Sequence, residues 1–402
     1  MSAIGGIKDI KGREVVFSEL DRMRASMSMR GRKRSAAYIG GDIDMIYNSS
    51  AQNAFEDGED LQPAIFERGR QTYALCVDSE LLYSGAIFEN YRLLGIDMLG
   101  SLAGGFALAL YDGERRILML ARDRYGKKPL FYQIYDGKIY FSSELKGIFS
   151  AIDKRVTVSR EMLSLHLTAP VGVYRATNIF TDICEVLPGE CVIFGELGMS
   201  RFRYRENRAQ KQNKMVNRNK GEEIFRPYPI KCADMIGETI SDALIAFDYP
   251  QFDADMPSVC ELFDRSGKEG RYELRFEDTL RNKSLSYAYE RQDRLGSLFG
   301  ISAVGASVRR EDDRTAERDE MSEYLKERFF SLDNSDISFL RGVVGVRKLE
   351  YLMRRFEEKS KDTEAEIRIL GMLCQCVEWA QSRELLIKNS CDDLLQSALS
   401  MM

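Results

Sequence analysis

The spacing of apolar and polar positions changes along this chain, and its densest pattern lies between Leu102 and Lys146. Four short apolar runs follow one another there: Phe106–Tyr111, Ile117–Ala121, Leu130–Tyr135 and Ile139–Phe141. Asp112-Gly113 closes the first run. The second ends at Arg122-Asp123-Arg124, followed by the turn Tyr125-Gly126-Lys127-Lys128-Pro129. Asp136-Gly137 is a strong hairpin dipeptide between the last two. Runs this continuously apolar predict strands buried on both faces, with a layer of structure over each side.

Before this stretch, Ser2–Ile7 reads as a buried strand, and Glu14–Met29 places Phe17, Leu20, Met23 and Met27 at helical spacing. Arg30-Gly31-Arg32 ends that helix. Ala36–Ile39 and Ile43–Tyr47 then predict pairing strands, Tyr73–Val77 another, and a helix is expected near Glu89–Ser101. Beyond it, Ser159–Leu167 and Cys232–Ala246 read as helices, and so do Arg309–Phe330, Ser338–Lys359 and Thr363–Gln381. Leu385–Met402 ends the chain as a weaker amphipathic segment. Between the strand-rich and helix-rich parts, Arg201–Lys220 holds eight Lys/Arg against one acid and reads as a solvated linker. The expected division is a strand-rich domain over 1–200, a basic linker over 201–226 and a helical domain over 227–402.

Composition narrows this picture little. The chain has 402 residues, 44% hydrophobic and 30% charged, with a net charge of −5. These values are ordinary for a globular protein and make nucleic acid an unlikely general partner. The first residues lack the apolar core of a signal peptide, and no run approaches the ~18 apolar residues of a membrane span. We therefore expect a cytoplasmic protein without a membrane partner. The eight cysteines form no CxxC pair, and Cys374 and Cys376 fall on different sides of one helix. No metal and no cofactor are expected. His166, the single histidine, is expected to be packed, not a ligand or base.

Three strings carry a family resemblance: Leu102–Asp112 (L-x-G-x-F-A-x-A-L-Y-D), Ala121–Tyr132 (A-R-D-R-x-G-x-K-P-L-F-Y) and Phe141–Lys146 (F-S-S-E-L-K). They resemble the glutaminase domain of the asparagine synthetases, class II glutamine amidotransferases of the Ntn-hydrolase type. Thr177–Ile183 and Leu187-Pro188-Gly189-Glu190 resemble the exit from that domain. The resemblance implies an α+β protein. A four-layer αββα Ntn-hydrolase-like domain would be followed by a mainly helical, truncated synthetase-like domain.

The resemblance also implies chemistry, and the sequence departs from it. The family uses a cysteine nucleophile immediately after the initiator methionine, with its own α-amine as base; here that position is Ser2, a weaker nucleophile. The family's carboxylate-binding arginine has no counterpart in Ile43–Ser49. At the position of its oxyanion asparagine stands Asp78, which would repel a developing oxyanion. After Glu80 there is little chain to carry the aspartate that binds the substrate amine. The S-G-G-x-D-S loop that holds ATP is absent, and Ser266–Gly270 reads only as a turn. Phe247–Ser258 and the surroundings of Asp293-Arg294 resemble later segments of the synthetase domain. The expectation is a pseudoenzyme that acts by binding, with a protein partner such as an enzyme of the same pathway, and with self-association also compatible. Two alternatives stand beside it. One is an enzyme, either an amide-forming synthetase homologue or a Ser2-dependent amidohydrolase on another substrate. The other is RNA binding through the basic linker, which Phe202 and Tyr204 support slightly.

Overall fold

The computed structural model describes residues 2–31, 34–49, 62–79, 82–152, 155–168, 179–196, 198–204, 233–252, 256–268, 273–275, 293–295, 302–304, 315–358, 362–383 and 385–388. They fall into two compact units. The first combines Met1–Asp153, Ile183–Ile224 and Gly270–Ser307; the second combines Lys154–Asp182, Phe225–Glu269 and Val308–Met402. The chain thus passes between units several times, where the sequence pattern predicted one passage through a linker over 201–226. Most of that linker lies outside the described residues, and Arg201–Arg203 is the end of a strand.

Two antiparallel sheets build the first unit. One contains β1 (Ser2–Asp9), β2 (Arg34–Ile39), β3 (Ile43–Ser49), β8 (Phe131–Tyr135), β9 (Lys138–Ser142) and β11 (Cys184–Glu185), in the order β11-β8-β9-β1-β3-β2. The other contains β4 (Ala64–Arg68), β5 (Gln71–Ser79), β6 (Phe106–Asp112), β7 (Ile117–Arg122), β12 (Glu190–Gly195) and β13 (Gly198–Arg203), in the order β13-β12-β7-β6-β5-β4. The expected strands between Leu102 and Lys146 are all present, within a residue or two at each end.

Alternation explains why those strands read as continuous apolar runs. Along β6, Ala107, Ala109 and Tyr111 enter the core between the sheets, with Ile4, Met45, Tyr132 and Phe141 from the facing sheet. The intervening Phe106, Leu108 and Leu110 face the other way, onto Ile87, Phe88 and Tyr91 of α2 (Ser84–Leu94). The predicted helix near Glu89–Ser101 therefore begins earlier and ends as a 3₁₀ segment, Gly95–Ser101. On the outer side of the first sheet lie α1 (Phe17–Ser26) and α3 (Leu145–Ala151), which pack on each other and on β3 and β9. Layers of helix, sheet, sheet and helix result. A short parallel pair, β14 (Glu273–Arg275) with β15 (Ser302–Val304), belongs to the same unit.

The second unit is mainly helical among its described residues. It contains α4 (Arg160–Thr168), α5 (Ala233–Phe247), α6 (Met256–Lys268), α7 (Thr315–Phe330), α8 (Asn334–Val344), α9 (Val346–Glu357) and α10 (Glu364–Ser382). Thr363 and Glu366 cap α10 reciprocally, each side chain accepting from the other's backbone N–H. Three sequence expectations change here. The single helix over Ser338–Lys359 is two, broken at Gly345, whose φ of 95° belongs to the left-handed region and interrupts the helix. Ser266–Lys268 continues α6 in place of a turn. Leu385–Lys388 is not helical but forms β16, paired in parallel with β10 (Val156–Ser159); 389–402 lie outside the described residues. No described helix is long and apolar enough to cross a membrane.

Candidate functional site

Strand parity brings the site together. Ile4 of β1, Met45 of β3 and Cys76 of β5 all point between the sheets. Two residues further along each strand, the same face carries Ser2, Tyr47 and Asp78. Ser2 is nearly buried, and its hydroxyl is 2.8 Å from the Tyr47 hydroxyl. Burial pushes the Tyr47 phenol up to about 12, so near neutral pH this partner is un-ionised and is no base for a serine nucleophile.

Arg30 enters from the end of α1. Its placement depends on Gly31, whose φ is 119° and whose missing Cβ would stand 2.5 Å from the Asn48 carbonyl carbon. The Arg30 guanidinium is fully buried. Nε donates to the Ser2 carbonyl at 2.8 Å, and Nη2 donates to Asp78 Oδ2 at 2.9 Å and to Asp293. Nη1 has no hydrogen-bond partner among the described residues. Burial disfavours the charge on Arg30, but Asp293, Asp78 and Glu144 outweigh it and hold its pKa above the ordinary value. Glu144 also lies 3.3 Å from Lys146.

Lys128 arrives from the turn after β7. Buried Arg122 anchors that turn by donating to the carbonyls of Lys128 at 2.5 Å, Gly126 at 2.8 Å and Val186 at 3.2 Å, and to Glu185 at 2.5 Å. Asp123 accepts from the N–H groups of Tyr125, Phe106 and Lys128. The Arg122-Asp123 pair thus shapes the loop that delivers Lys128, whose Nζ is 2.8 Å from Asp293 Oδ1 and 4.0 Å from Asp78 Oδ1. Asp293 is buried against both cations. Burial opposes its ionisation, but Arg30 and then Lys128 prevail and hold its carboxyl well below the usual carboxylate range. Next to it, the Arg294 guanidinium lies 5.1 Å from the centre of the Phe131 ring.

The structure therefore brings the two sequence candidates, Ser2 and Asp78, to one place and adds Arg30, Lys128, Tyr47 and Asp293. Arg30 and Lys128 read in sequence only as a helix end and a turn residue. An arginine followed by glycine between two apolar runs was the available signal for the first. Asp293 stood out only in the resemblance around Asp293-Arg294, and nothing local tied it to Arg30 or Lys128, which lie more than 160 residues away. His166 is buried in the second unit, its Nε2 2.7 Å from the Pro250 carbonyl, as a packed histidine should be.

The residues 77–205 match the glutamine amidotransferase domain family. A Bacillus subtilis protein named asparagine synthetase [glutamine-hydrolyzing] 3 is 33% identical over 175 residues, which are 43% of this chain and 27% of that protein. Escherichia coli asparagine synthetase B [glutamine-hydrolyzing] is 31% identical over 176 residues, 37% of this chain and 30% of that protein. This chain thus spans less than a third of the length of either relative. A solved glutamine phosphoribosylpyrophosphate amidotransferase from B. subtilis, complexed with ADP and GMP, gives a TM-score of only 0.35 at 14% identity. That match covers 75% of this chain and 65% of that one. The match over 77–205 is thus to a glutamine amidotransferase domain. The N-terminal half as a whole is similar in sequence to the asparagine synthetases.

Proposed function

We propose that the amidotransferase-like unit does not hydrolyse glutamine and that the chain works by binding, as a scaffolding or regulatory partner of another enzyme. The observation that carries this reading is the buried group of Arg30, Asp78, Lys128 and Asp293 around Ser2. Amide hydrolysis at Ser2 would need an activated nucleophile and hydrogen-bond donors aimed at the developing oxyanion. Ser2 instead shares a hydrogen bond with an un-ionised phenol. Asp78 is an acceptor engaged by Arg30, and the nearby cations are already neutralised by carboxylates of the chain itself. The missing ATP loop gives independent support from the sequence.

Ammonia release from glutamine by the purified chain is the direct measurement, together with intact-mass analysis after exposure to an electrophilic glutamine analogue. We expect neither ammonia nor an adduct on Ser2. The decisive variant is Ser2→Cys. If the pocket were intact apart from its nucleophile, this change would restore glutamine hydrolysis, and that result would overturn the proposal. An inactive Ser2→Cys variant supports it, because the charge cluster remains.

A further inference from the structure

We propose that Arg30 and Lys128 form a binding site for a small carboxylate, held shut in this structure by Asp293 acting as a tethered ligand. The inference rests on the reading of the pocket as closed, and names what closes it and what could replace it.

The charges point this way. Arg30 and Lys128 are both buried, and each is bound to one oxygen of the same Asp293 carboxylate: Lys128 to Oδ1 at 2.8 Å, Arg30 to Oδ2. The two cations thus clamp a carboxylate from two sides, the arrangement a carboxylate ligand would require. Asp78 supplies a second negative charge, its Oδ2 accepting from Arg30 Nη2 at 2.9 Å while its Oδ1 lies 4.0 Å from Lys128 Nζ, too far for a hydrogen bond. Glu144, which also acts on Arg30, lies beside Lys146. A donor is also left over, since Arg30 Nη1, fully buried, has no hydrogen-bond partner among the described residues. The site is built into rigid parts of the sandwich. Arg30 is fixed through the Ser2 carbonyl and Gly31, and Lys128 through the loop that Arg122 and Asp123 organise. Asp293 is the exception, coming from a distant stretch of sequence.

Replacing Asp293 by alanine removes the carboxylate and leaves both cations in place, and formate is the carboxylate thus removed. In the full chain, D293A should lower the melting midpoint by roughly 10 °C, the loss expected of a broken buried ion pair in a unit of this size. Formate should then raise the midpoint of D293A saturably, since a ligand that binds only the folded state stabilises it by mass action, and should act far less on the wild type. Chloride at equal ionic strength and neutral formamide should not reproduce the effect, and Lys128→Met in the D293A background should abolish it. If D293A does not fold in chloride, its refolding yield in formate against chloride reads the same quantity. A variant as stable as the wild type, or one on which formate and chloride act alike, overturns the site. The failure of the functional reading is separate: glutamine hydrolysis would sink that reading and leave the formate effect untouched.

Discussion

The two units differ in how far they rely on fully buried ion pairs. In the sandwich both partners of several pairs are buried: Arg30 with Asp78 and Asp293, Lys128 with Asp293, Arg122 with Glu185. In the helical unit the described pairs of Asp248 with Arg383 and Asp362 with Lys326 keep a partly exposed cation, and two of the deepest polar side chains are neutral groups bonded to the backbone. His166 meets the Pro250 carbonyl, while Gln375 accepts from the Gln251 N–H at 2.7 Å and donates to the Ile240 carbonyl at 3.1 Å. A neutral group is satisfied by one or two hydrogen bonds, whereas a buried ion needs a counter-charge as well. The sandwich has therefore accepted a costlier arrangement at its Ser2 end, and such an arrangement is tolerated best where charge itself has a role or once had one.

The largest test of this contrast is Arg30→Met. The change leaves Asp78 and Asp293 with Lys128 as their remaining buried cation among the described residues, 4.0 Å from Asp78. Removing one partner of a buried ion group costs about 3–5 kcal/mol. Hydrogen exchange measured peptide by peptide should show the loss in β1, β3 and β5, the strands that carry Ser2, Tyr47 and Asp78. Protection unchanged in these strands would mean that the cluster contributes little and that the contrast between the units is only apparent.

How much of this could be read from the sequence also differs between the units. In the sandwich, continuous apolar runs and glycine turns located most strands, and the residues around Arg122 carried the family resemblance. Ser2 and Asp78 were legible only through the resemblance, and parity along β1 and β5 explains why the fold then sets both on the inter-sheet face. What escaped was the cation set. Arg30 and Lys128 sit at element ends, where composition says only "turn", and Asp293 meets them through tertiary folding that no local pattern encodes. In the helical unit the 3.6-residue period found α7 and α10 but could not see the break at Gly345. The apolar stripe continues in sequence across a backbone angle that ends the first helix. Leu385–Lys388 failed for another reason: four residues are too few to separate strand from helix, and its partner β10 lies over 200 residues away.

The second test uses pH on the neutral side of the comparison. Burial, opposed by the Pro250 carbonyl and aided by Arg368, pushes the His166 pKa down to about 4 from an ordinary value near 6.5. Above pH 6.5 both folded and unfolded states hold the ring neutral, and its environment costs nothing. As pH falls from 6.5 towards 4 the unfolded chain gains the proton first, so the stability of this unit must fall through that window. Between pH 7 and pH 5 the loss should be about 2 kcal/mol. Trp379, the single tryptophan, is buried in the same unit with its ring edge-on to Phe180, so its emission can follow urea unfolding at each pH. His166→Gln should flatten the dependence; an equal slope in the variant would place the titrating group elsewhere.

The smallest expected effect comes from Asp44, a carboxylate of the sandwich that breaks the unit's own pattern. It is buried on β3, and Oδ1 accepts from the Gly40 N–H at 3.1 Å. Oδ2 has no hydrogen-bond partner among the described residues. Burial pushes its pKa up to about 6, well above the ordinary 3.8, with the Gly40 hydrogen bond pulling the other way. A folded-state pKa raised in this way contributes stability that is fully present below pH 3.8 and is lost as pH rises through 6. The sign is opposite to that of His166 over nearly the same window. Wild type and Asp44→Asn should therefore be compared at pH 7 and pH 4 by hydrogen exchange of β2 and β3. On acidification the difference in protection should move in favour of the wild type, because the aspartate becomes neutral while asparagine does not titrate. A difference independent of pH would mean that Asp44 stays ionised in the folded chain. A cation would then have to stand near it, and Asp44 would join the paired buried charges of the sandwich.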